Sequence, residues 1–224
     1  MSETPTFTPA AGRFASTKLY DRGVALLTRE RRWRSALLDL LDPKAGETIL
    51  DVGCGTGSLA ILMKQREPQA TIIGLDPDGE ALAIAREKAA VAGVSIEWKK
   101  GFAQDAVACG PADKVVSSLV FHQVPLEGKR TGLAAMFAAA APGGKVFVAD
   151  YARPTNWIMR QAFRIIQLID GQTDTQPHVE GFLEAQLGKF GGRKVSAGYR
   201  LDTPTGTISI FVVPRNEDIM KGLH

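Results

Sequence analysis

Three alternating glycines, Gly53, Gly55 and Gly57, stand between a predicted strand and a predicted helix. The strand covers residues 48–52 and is mostly apolar, and the helix follows at residues 58–66. Glycines at such a junction let the backbone turn tightly, and they let a ligand approach main-chain N–H groups without a Cβ in the way. The junction therefore predicts a βα unit of a parallel sheet, with a ligand-binding loop where the strand ends.

The alternation of strand and helix continues along the chain. We predict further strands at residues 71–76, 94–99, 114–120 and 145–150, and helices at residues 78–92 and 128–141. This rhythm indicates a doubly wound α/β fold with right-handed crossovers. Two more strands, near residues 194–201 and 207–213, are joined by a glycine-containing connection and predict a hairpin that closes one edge of the sheet.

The composition excludes several classes of protein. The chain has 224 residues, of which 45% are hydrophobic and 23% charged, as in an ordinary globular protein. Its net charge of +3 is spread without a dense basic tract, which argues against nucleic acid as a partner. The N-terminus lacks a signal-peptide pattern, and no apolar run is long enough to span a bilayer. The two cysteines, Cys54 and Cys109, fit no zinc pattern, so we expect a cytoplasmic protein without a metal site.

The organisation along the chain predicts a single domain with two helical additions. Residues 1–16 lack periodicity and predict a flexible lead, while residues 17–224 form the domain itself. Residues 17–42 carry apolar side chains at helical spacing and predict an N-terminal helical cap. Residues 153–191 hold more chain than one crossover helix needs, which predicts a helical lid before the last two strands. For the apolar residues of segment 155–169, core packing and a cover over an apolar substrate are two alternatives.

The glycine spacing and two carboxylates narrow the class of ligand. A dinucleotide fingerprint would place its third glycine where this chain has Ser58. With Asp51 at the end of the first strand, the loop suits an amino-acid moiety better than a pyrophosphate. Asp76 ends the next strand, where a carboxylate can accept both hydroxyls of an unphosphorylated ribose. The pattern implies a nucleoside ligand and disfavours a nicotinamide-dependent oxidoreductase, for which the chain also lacks a Tyr-x-x-x-Lys pair.

Three motifs, in this order, resemble those of the class I S-adenosylmethionine-dependent methyltransferases. They read LDVGCGTG at residues 50–57, GLD at residues 74–76 and APGGKV at residues 141–146. In addition, the pairs Tyr20-Asp21 and Trp33-Arg34 are similar to the N-terminal helices of the ubiquinone/menaquinone-type enzymes. The resemblance implies a Rossmann-like seven-stranded sheet with its last strand antiparallel. It also implies S-adenosylmethionine as cofactor and S-adenosylhomocysteine (SAH) as product. The lid and the scarcity of polar candidates in it favour a small, partly apolar molecule as acceptor of the methyl group at oxygen, nitrogen or carbon.

The same resemblance assigns cofactor-binding positions to this chain: Tyr20, Asp51, Gly53, Cys54, Gly55, Gly57, Asp76, Pro77, Phe102, Ala103 and Ser118. It implies that the glycines face the methionine part, that Asp51 lies near the ammonium group and that Asp76 holds the ribose. Ser118 would lie beside the sulfonium, and Tyr20 would cap the cofactor. Phe102 stands where the family usually has an Asp that contacts the adenine, so main-chain atoms here or the side chain of Asp105 are the alternatives.

Two histidines are candidate catalytic residues. Methyl transfer from a sulfonium is an in-line displacement, so the protein mainly positions the acceptor and excludes water. A phenol, enol or ammonium acceptor also needs a base, and histidine suits that role near neutral pH. His122 follows the fourth predicted strand, where the resemblance implies residues that face the transferred methyl. His178, beside Pro177 at the predicted start of a lid helix, is the second candidate, with a surface position as its alternative.

Two further functions fit the same pattern. A phospholipid head-group N-methyltransferase would use the basic helix at residues 29–34 for peripheral contact with a membrane. A non-catalytic S-adenosylmethionine-binding sensor or interaction protein would keep the fold without turnover, because a fold does not fix a function. His122-Gln123 stands where the ubiquinone/menaquinone-type enzymes usually carry Arg-Asn, and this difference argues against carbon methylation of a quinol precursor.

Overall fold

The computed structural model describes residues 29–192 and 194–222, which contain a seven-stranded sheet. The strands are β1 Thr48–Val52, β2 Thr71–Asp76, β3 Glu97–Lys100, β4 Ala112–Ser118, β5 Ala140–Tyr151, β6 Tyr199–Thr203 and β7 Gly206–Pro214. In space they are ordered β3-β2-β1-β4-β5-β7-β6. Neighbours from β3 to β5 pair in parallel, whereas β7 is antiparallel to both β5 and β6. The predicted doubly wound sheet with an antiparallel last strand is confirmed.

Helices connect these strands. They are α1 Glu30–Leu41, α2 Ser58–Arg66, α3 Gly79–Val91, α4 Leu126–Ala139, α5 Trp157–Ala162, α6 Arg164–Asp170, α7 Gln172–Val179, α8 Phe182–Gly191 and α9 Glu217–Lys221. Two 3₁₀ turns, Ala103–Cys109 and Phe121–Gln123, lie before and after β4. None of the described helices is long and apolar enough to cross a membrane.

Two apolar cores lie on opposite faces of the sheet. In β5, Val146 and Val148 belong to one core, whereas Phe147 and Ala149 belong to the other. This division follows from the alternation of side chains along a strand. We call the first core A, into which α4 and α8 pack, and the second core B, into which α1 and α2 pack.

The direction of the strand order reverses between β1 and β4. From β1 the chain goes to β2 on one side, and it later returns to place β4 on the other side of β1. In an open α/β sheet, the loops that leave the carboxyl ends of two such strands diverge and leave a crevice in which ligands bind. The glycine loop follows β1, and the turn with His122 follows β4, so both line this crevice.

Most elements lie close to the positions predicted for them. β1, β2 and α2 have the predicted bounds, because each is a short apolar run ended by polar or glycine residues. β4 was expected at residues 114–120 but ends at Ser118, because Leu119 adopts a positive φ of 54° that turns the chain out of the strand. The predicted hairpin is present with a tighter turn, since β6 ends at Thr203 and β7 begins at Gly206.

The predicted lid consists of the four short helices α5 to α8. Phe163 and Ile166 pack into core B, which accounts for part of the apolar character of this segment. Four other large apolar side chains of the segment are exposed: Trp157, Ile158, Ile165 and Leu168. Core packing therefore accounts for only part of this segment, and a cover over an apolar substrate stays a prediction.

The N-terminal predictions are tested only in part. Helix α1 buries Trp33, Leu37 and Leu41 at the predicted helical spacing. The rest of the predicted helical cap, the flexible lead and Tyr20 lie outside the described residues.

Candidate functional site

The glycine loop after β1 is fixed by hydrogen bonds to its neighbours. The backbone N–H groups of Gly53 and Cys54 both donate to the carbonyl of Leu75 at the end of β2, over 2.7 and 3.1 Å. From α3, Lys88 Nζ donates to Ser58 Oγ at 2.6 Å and to Thr56 Oγ1 at 3.1 Å. The loop is thereby held against β2 and α3, which keeps its conformation ready for a ligand.

The three glycines of this loop have different surroundings. All three have a positive φ, of 71° at Gly53, 52° at Gly55 and 74° at Gly57. A Cβ on Gly53 would lie 2.4 Å from Val120 Cγ2, and a Cβ on Gly57 would lie 2.5 Å from the Trp98 ring. A Cβ on Gly55 would meet no described atom within 4 Å. Gly53 and Gly57 are thus required by packing, whereas Gly55 borders open space from which a ligand can approach.

Asp51 is a buried carboxylate beneath this loop. It is fully buried, and neither of its oxygens has a hydrogen-bond partner among the described residues. Burial raises the pKa of Asp51 to about 7, although the positive charge of Arg34 opposes this. A buried carboxyl group without partners is costly. The geometry is therefore suited to a cationic group that binds above Asp51.

Asp76 links the end of β2 to the glycine loop. Its Oδ2 accepts from Gly55 N at 2.8 Å, and its Oδ1 accepts from Asp78 N at 2.9 Å. Burial raises the pKa of Asp76, while these hydrogen bonds oppose that shift. Each oxygen keeps a second lone pair. Asp76 can therefore accept hydroxyl groups of a ligand while it orients Gly55, and the neighbouring Pro77 is half-buried at the same edge.

The segment after β3 lies beside Asp76, because Gly101 N donates to the Asp76 carbonyl at 3.1 Å. Phe102 and Ala103 follow and are half-buried. Asp105 Oδ2 accepts from Phe102 N at 2.8 Å, so this carboxylate caps the 3₁₀ turn that begins at Ala103. Asp105 thus has a structural role in this turn, and both alternatives for adenine recognition, the main chain of Phe102 and Ala103 and the side chain of Asp105, stay predictions.

Asp150 organises the turn that follows β4. Its Oδ2 accepts from Phe121 N at 2.7 Å and from His122 N at 3.3 Å. Its Oδ1 lies 2.8 Å from His122 Nδ1 and accepts from Tyr151 N at 2.7 Å. Burial alone would raise the pKa of Asp150, but the His122 ring and these hydrogen bonds hold it below its usual value. Because a carboxylate only accepts, it keeps the proton of neutral His122 on Nδ1 and the lone pair on Nε2.

Lys129 satisfies the carbonyl groups of the same turn. Its Nζ donates to Phe121 O at 2.5 Å, to His122 O at 3.3 Å and also to Val124 O. The side chain is fully buried, and burial lowers the pKa of Lys129 to about 8. Lys129 and Asp150 thus hold the turn from both sides.

His178 occupies a position different from the predicted one. It lies near the end of α7, not at the start of a lid helix, and it is fully buried rather than at the surface. Its Nδ1 donates to the carbonyl of Tyr151 at 2.6 Å, while Nε2 has no partner among the described residues. Burial lowers the pKa of His178 to about 4, so the ring is neutral near pH 7. It joins the lid to the end of β5.

The structure thus gathers the predicted residues into two groups. The loop and strand-end residues Asp51, Gly55 and Asp76 line one side of the crevice. Ser118, at the end of β4, leads into the turn with His122 on the other side. Cys54 lies in the same loop, where its thiol is buried and burial raises the pKa of that thiol; its contact with a cofactor stays a prediction. His178 connects to this second group through the Tyr151 carbonyl.

Sequence reasoning missed the roles of Asp150 and Lys129. Asp150 is the next-to-last residue of β5, which lies beside β4 in the sheet, and Ser118 pairs with Ala149 in the register. A carboxylate that ends a strand beside a histidine-bearing strand end was a signal for Asp150. No comparable signal exists for Lys129, whose spacing on α4 matches that of a solvated lysine.

Comparison with known proteins relates the chain to methyltransferases. Residues 49–144 match a family model described as a methyltransferase domain. The chain is 33% identical over 138 residues to demethylmenaquinone methyltransferase of Thermus thermophilus, and this match covers 60% of each chain. It is 30% identical over 174 residues to demethylmenaquinone methyltransferase of Oceanobacillus iheyensis, which covers 74% of this chain and 72% of that protein. The chain thus spans only about three fifths of the length of the Thermus protein.

A solved structure has the same fold. Magnesium protoporphyrin IX methyltransferase of Synechocystis PCC 6803, solved with bound SAH, superimposes with a TM-score of 0.64 over 92% of this chain and 90% of that chain. The two sequences are 19% identical, so this likeness concerns the fold alone.

The glycine surroundings give a first prediction. An alanine at a positive φ costs about 1–2 kcal/mol at either position, so this cost cancels when Gly57→Ala is compared with Gly55→Ala. At position 57 the added methyl also overlaps Trp98 and Ala85, which costs about 1–3 kcal/mol more. We expect Gly57→Ala to unfold at a clearly lower urea concentration than Gly55→Ala. Equal stabilities would contradict the packing described for Gly57.

Burial of Asp51 gives a second prediction. The folded state keeps the Asp51 proton up to about pH 7, whereas the unfolded chain releases it near the ordinary pKa of 3.8. Between these values the unfolded state binds fewer protons, so this group lowers stability as pH rises from about 4 to about 7. Asp51→Asn should remove that part of the pH dependence in urea unfolding. Asp39 is exposed, so Asp39→Asn is the control and should leave the pH dependence of urea unfolding as it is in the wild type.

Proposed function

The chain belongs to the class I S-adenosylmethionine-dependent methyltransferases, and from this premise we propose that it transfers a methyl group to a small, partly apolar molecule. The acceptor atom is an oxygen, nitrogen or carbon nucleophile. The observation that carries the proposal is Asp51, a fully buried carboxylate without a described partner beneath an open glycine. A ligand with an ammonium group would satisfy this carboxylate.

The residues around Asp51 fit the remaining parts of the cofactor. The open space at Gly55 admits an amino-acid moiety close to the main chain. Asp76, at the end of β2, has lone pairs for the two ribose hydroxyls. The segment of Phe102 and Ala103 follows Gly101, whose N–H donates to the Asp76 carbonyl, and this proximity to Asp76 supports a role for the segment in binding the adenine. When bound, S-adenosylmethionine supplies a methyl group on a sulfonium, which is already an activated leaving group.

His122 is the proposed general base for acceptors that carry a proton. Asp150 keeps the Nδ1 proton in place and thereby makes Nε2 the basic nitrogen. Once Nε2 has taken a proton from the acceptor, the negative charge of Asp150 stabilises the imidazolium. Lys129 acts as a positioning residue, because it fixes the backbone carbonyl of His122. His178 is a second candidate, whose neutral Nε2 could accept a hydrogen bond from the acceptor.

The class of acceptor follows from the relatives and from the chemistry of this turn. The two relatives compared above are named demethylmenaquinone methyltransferases, so reduced naphthoquinones are the first acceptors to test. A histidine base also suits phenols and protonated amines. An acceptor panel of quinols, phenols and amines therefore covers carbon, oxygen and nitrogen methylation.

A third prediction tests the cofactor. Because the ammonium group of SAH favours ionised Asp51, SAH binding at pH 6.5 should release a proton. In calorimetric titrations, the heat of SAH binding should depend on the ionisation enthalpy of the buffer. 5′-Methylthioadenosine lacks the amino-acid part and is the matched control, for which the heat should not depend on the buffer.

Asp51→Asn should weaken SAH binding and abolish the buffer dependence, and NADH should not bind. Absence of SAH binding to the wild type would overturn the proposal.

A fourth prediction concerns His122. His122→Asn keeps an N–H group near Asp150 but removes the base, so we expect kcat to fall by about 100-fold or more. The affinity for SAH should stay at the wild-type value, and the acidic limb of the pH–rate profile, where a general base becomes protonated, should change. SAH formation with the acceptor panel measures the rate.

Two results would contradict the assignment of His122. Wild-type single-turnover rates in the Asn variant would remove His122 from the mechanism. SAH binding without turnover of any acceptor would favour the non-catalytic sensor instead.

A further inference from the structure

The lid carries an apolar surface that faces outward. Four of its side chains are largely exposed, with 73% for Trp157, 54% for Ile158, 46% for Ile165 and 87% for Leu168. Soluble proteins seldom gather large apolar side chains in one exposed patch unless the patch has a partner. We call these four side chains, together with Gln161 and Arg164, the lid face.

Helix geometry places the lid face on one side of α5 and α6. The two helices meet at Phe163, whose φ of −65° and ψ of −17° are nearly helical. At about 100° per residue, positions 157, 158, 161, 164, 165 and 168 fall within an arc of about 120°. Phe163 and Ile166 fall on the opposite side and pack into core B. The helix pair therefore has two apolar sides. One packs into core B, and the other is exposed.

Arginines lie within and beside the lid face. Residues 153–169 contain three arginines, Arg153, Arg160 and Arg164, and no Asp or Glu. The start of α1 adjoins the start of α5, since Arg29 Nη1 donates to the Asp202 carbonyl at 3.2 Å and Thr155 Oγ1 donates to the Asp202 carboxylate at 3.0 Å. Helix α1 adds the exposed residues 31 and 32, both arginines, on the same side of the sheet.

We propose that the lid face is a membrane-contact surface that binds the interface of an anionic lipid bilayer. An exposed apolar arc with tryptophan at one end and arginines around it matches the chemistry of helices that lie in the headgroup region. The tryptophan ring suits this region because it combines an apolar body with a polar N–H. Arginines next to the arc are attracted by the negative surface potential of anionic lipids.

A second copy of the chain fits this surface less well. In a two-fold symmetric contact the same patch meets itself, so both sides of the contact would carry the arginines of residues 153–169 without an acidic residue from that segment. Like charges at such a contact are unfavourable. A bilayer with anionic headgroups supplies both the apolar layer and the compensating charge.

Membrane contact would bring a lipid-dissolved acceptor close to the crevice. This consequence rests on the proposed function, whereas vesicle binding itself does not. The test therefore measures binding without cofactor or acceptor, so that a failure of methyl transfer and a failure of membrane contact are distinguishable.

The experiment is co-sedimentation of the full chain with vesicles of phosphatidylcholine and phosphatidylglycerol, compared with pure phosphatidylcholine vesicles. We expect binding to the anionic vesicles that decreases as salt is added. Trp157→Ser combined with Leu168→Ser should lower the partition coefficient about tenfold or more. Arg153→Gln combined with Arg164→Gln should lower it about fivefold for each arginine removed.

Matched controls come from the opposite side of the sheet. Val107→Ser combined with Leu126→Ser removes exposed apolar side chains from elements that pack into core A, and Arg130→Gln removes an exposed arginine there. These variants should bind vesicles like the wild type. Trp157 fluorescence, obtained as the difference between wild type and Trp157→Phe, should be quenched by acrylamide in buffer and protected by anionic vesicles.

Three results would overturn the proposal. The first is no binding to anionic vesicles, or binding that the Trp157 and Leu168 substitutions leave unchanged. The second is concentration-dependent dimerisation that the same substitutions abolish, which would make a second copy the occupant. The third is Trp157 already protected from acrylamide in the free monomer, which would mean that the chain itself covers the lid face.

Discussion

The buried carboxylate of Asp150 is the constraint on which the crevice depends. It accepts hydrogen bonds from the backbone N–H groups of Phe121 and Tyr151 and from both the backbone and the ring of His122. Lys129 donates hydrogen bonds to the carbonyl groups of the same turn. One negative and one positive side chain thus satisfy opposite polar groups of a turn that is buried away from water. Loss of either would leave several backbone groups unpaired, which is costly.

The parts of the fold that were predictable depend on local patterns. The residues of β1, the glycine loop and α2 are consecutive, and their bounds agree with the prediction because turn chemistry and apolar runs decide them. The position of Asp76 was predictable for the same reason, because it ends the short apolar strand β2. The close contacts of Gly53 with Val120 and of Gly57 with Trp98 were not predictable, since each joins residues that are distant in the sequence. The absence of a described partner for Asp51 is likewise a property of the folded chain and not of a local pattern.

The acceptor side of the crevice depends on contacts between distant segments. His122 and Asp150 are 28 residues apart, and His178 contacts Tyr151 across 27 residues. The sequence pattern suggested a surface position for His178 because a proline beside it resembled the start of a helix. Proline is instead inside α7, and the ring is buried by the packing of the lid on β5. Tertiary packing therefore overrode a local signal at this residue.

This division explains why the class of cofactor is readable from the sequence while the acceptor is not. The cofactor side needs backbone conformations and carboxylates at strand ends, which a short motif specifies. The proposed acceptor side combines a turn after β4, the end of β5 and a lid helix, each from a separate part of the chain. The exposed apolar side chains of the same lid are not explained by packing into core B.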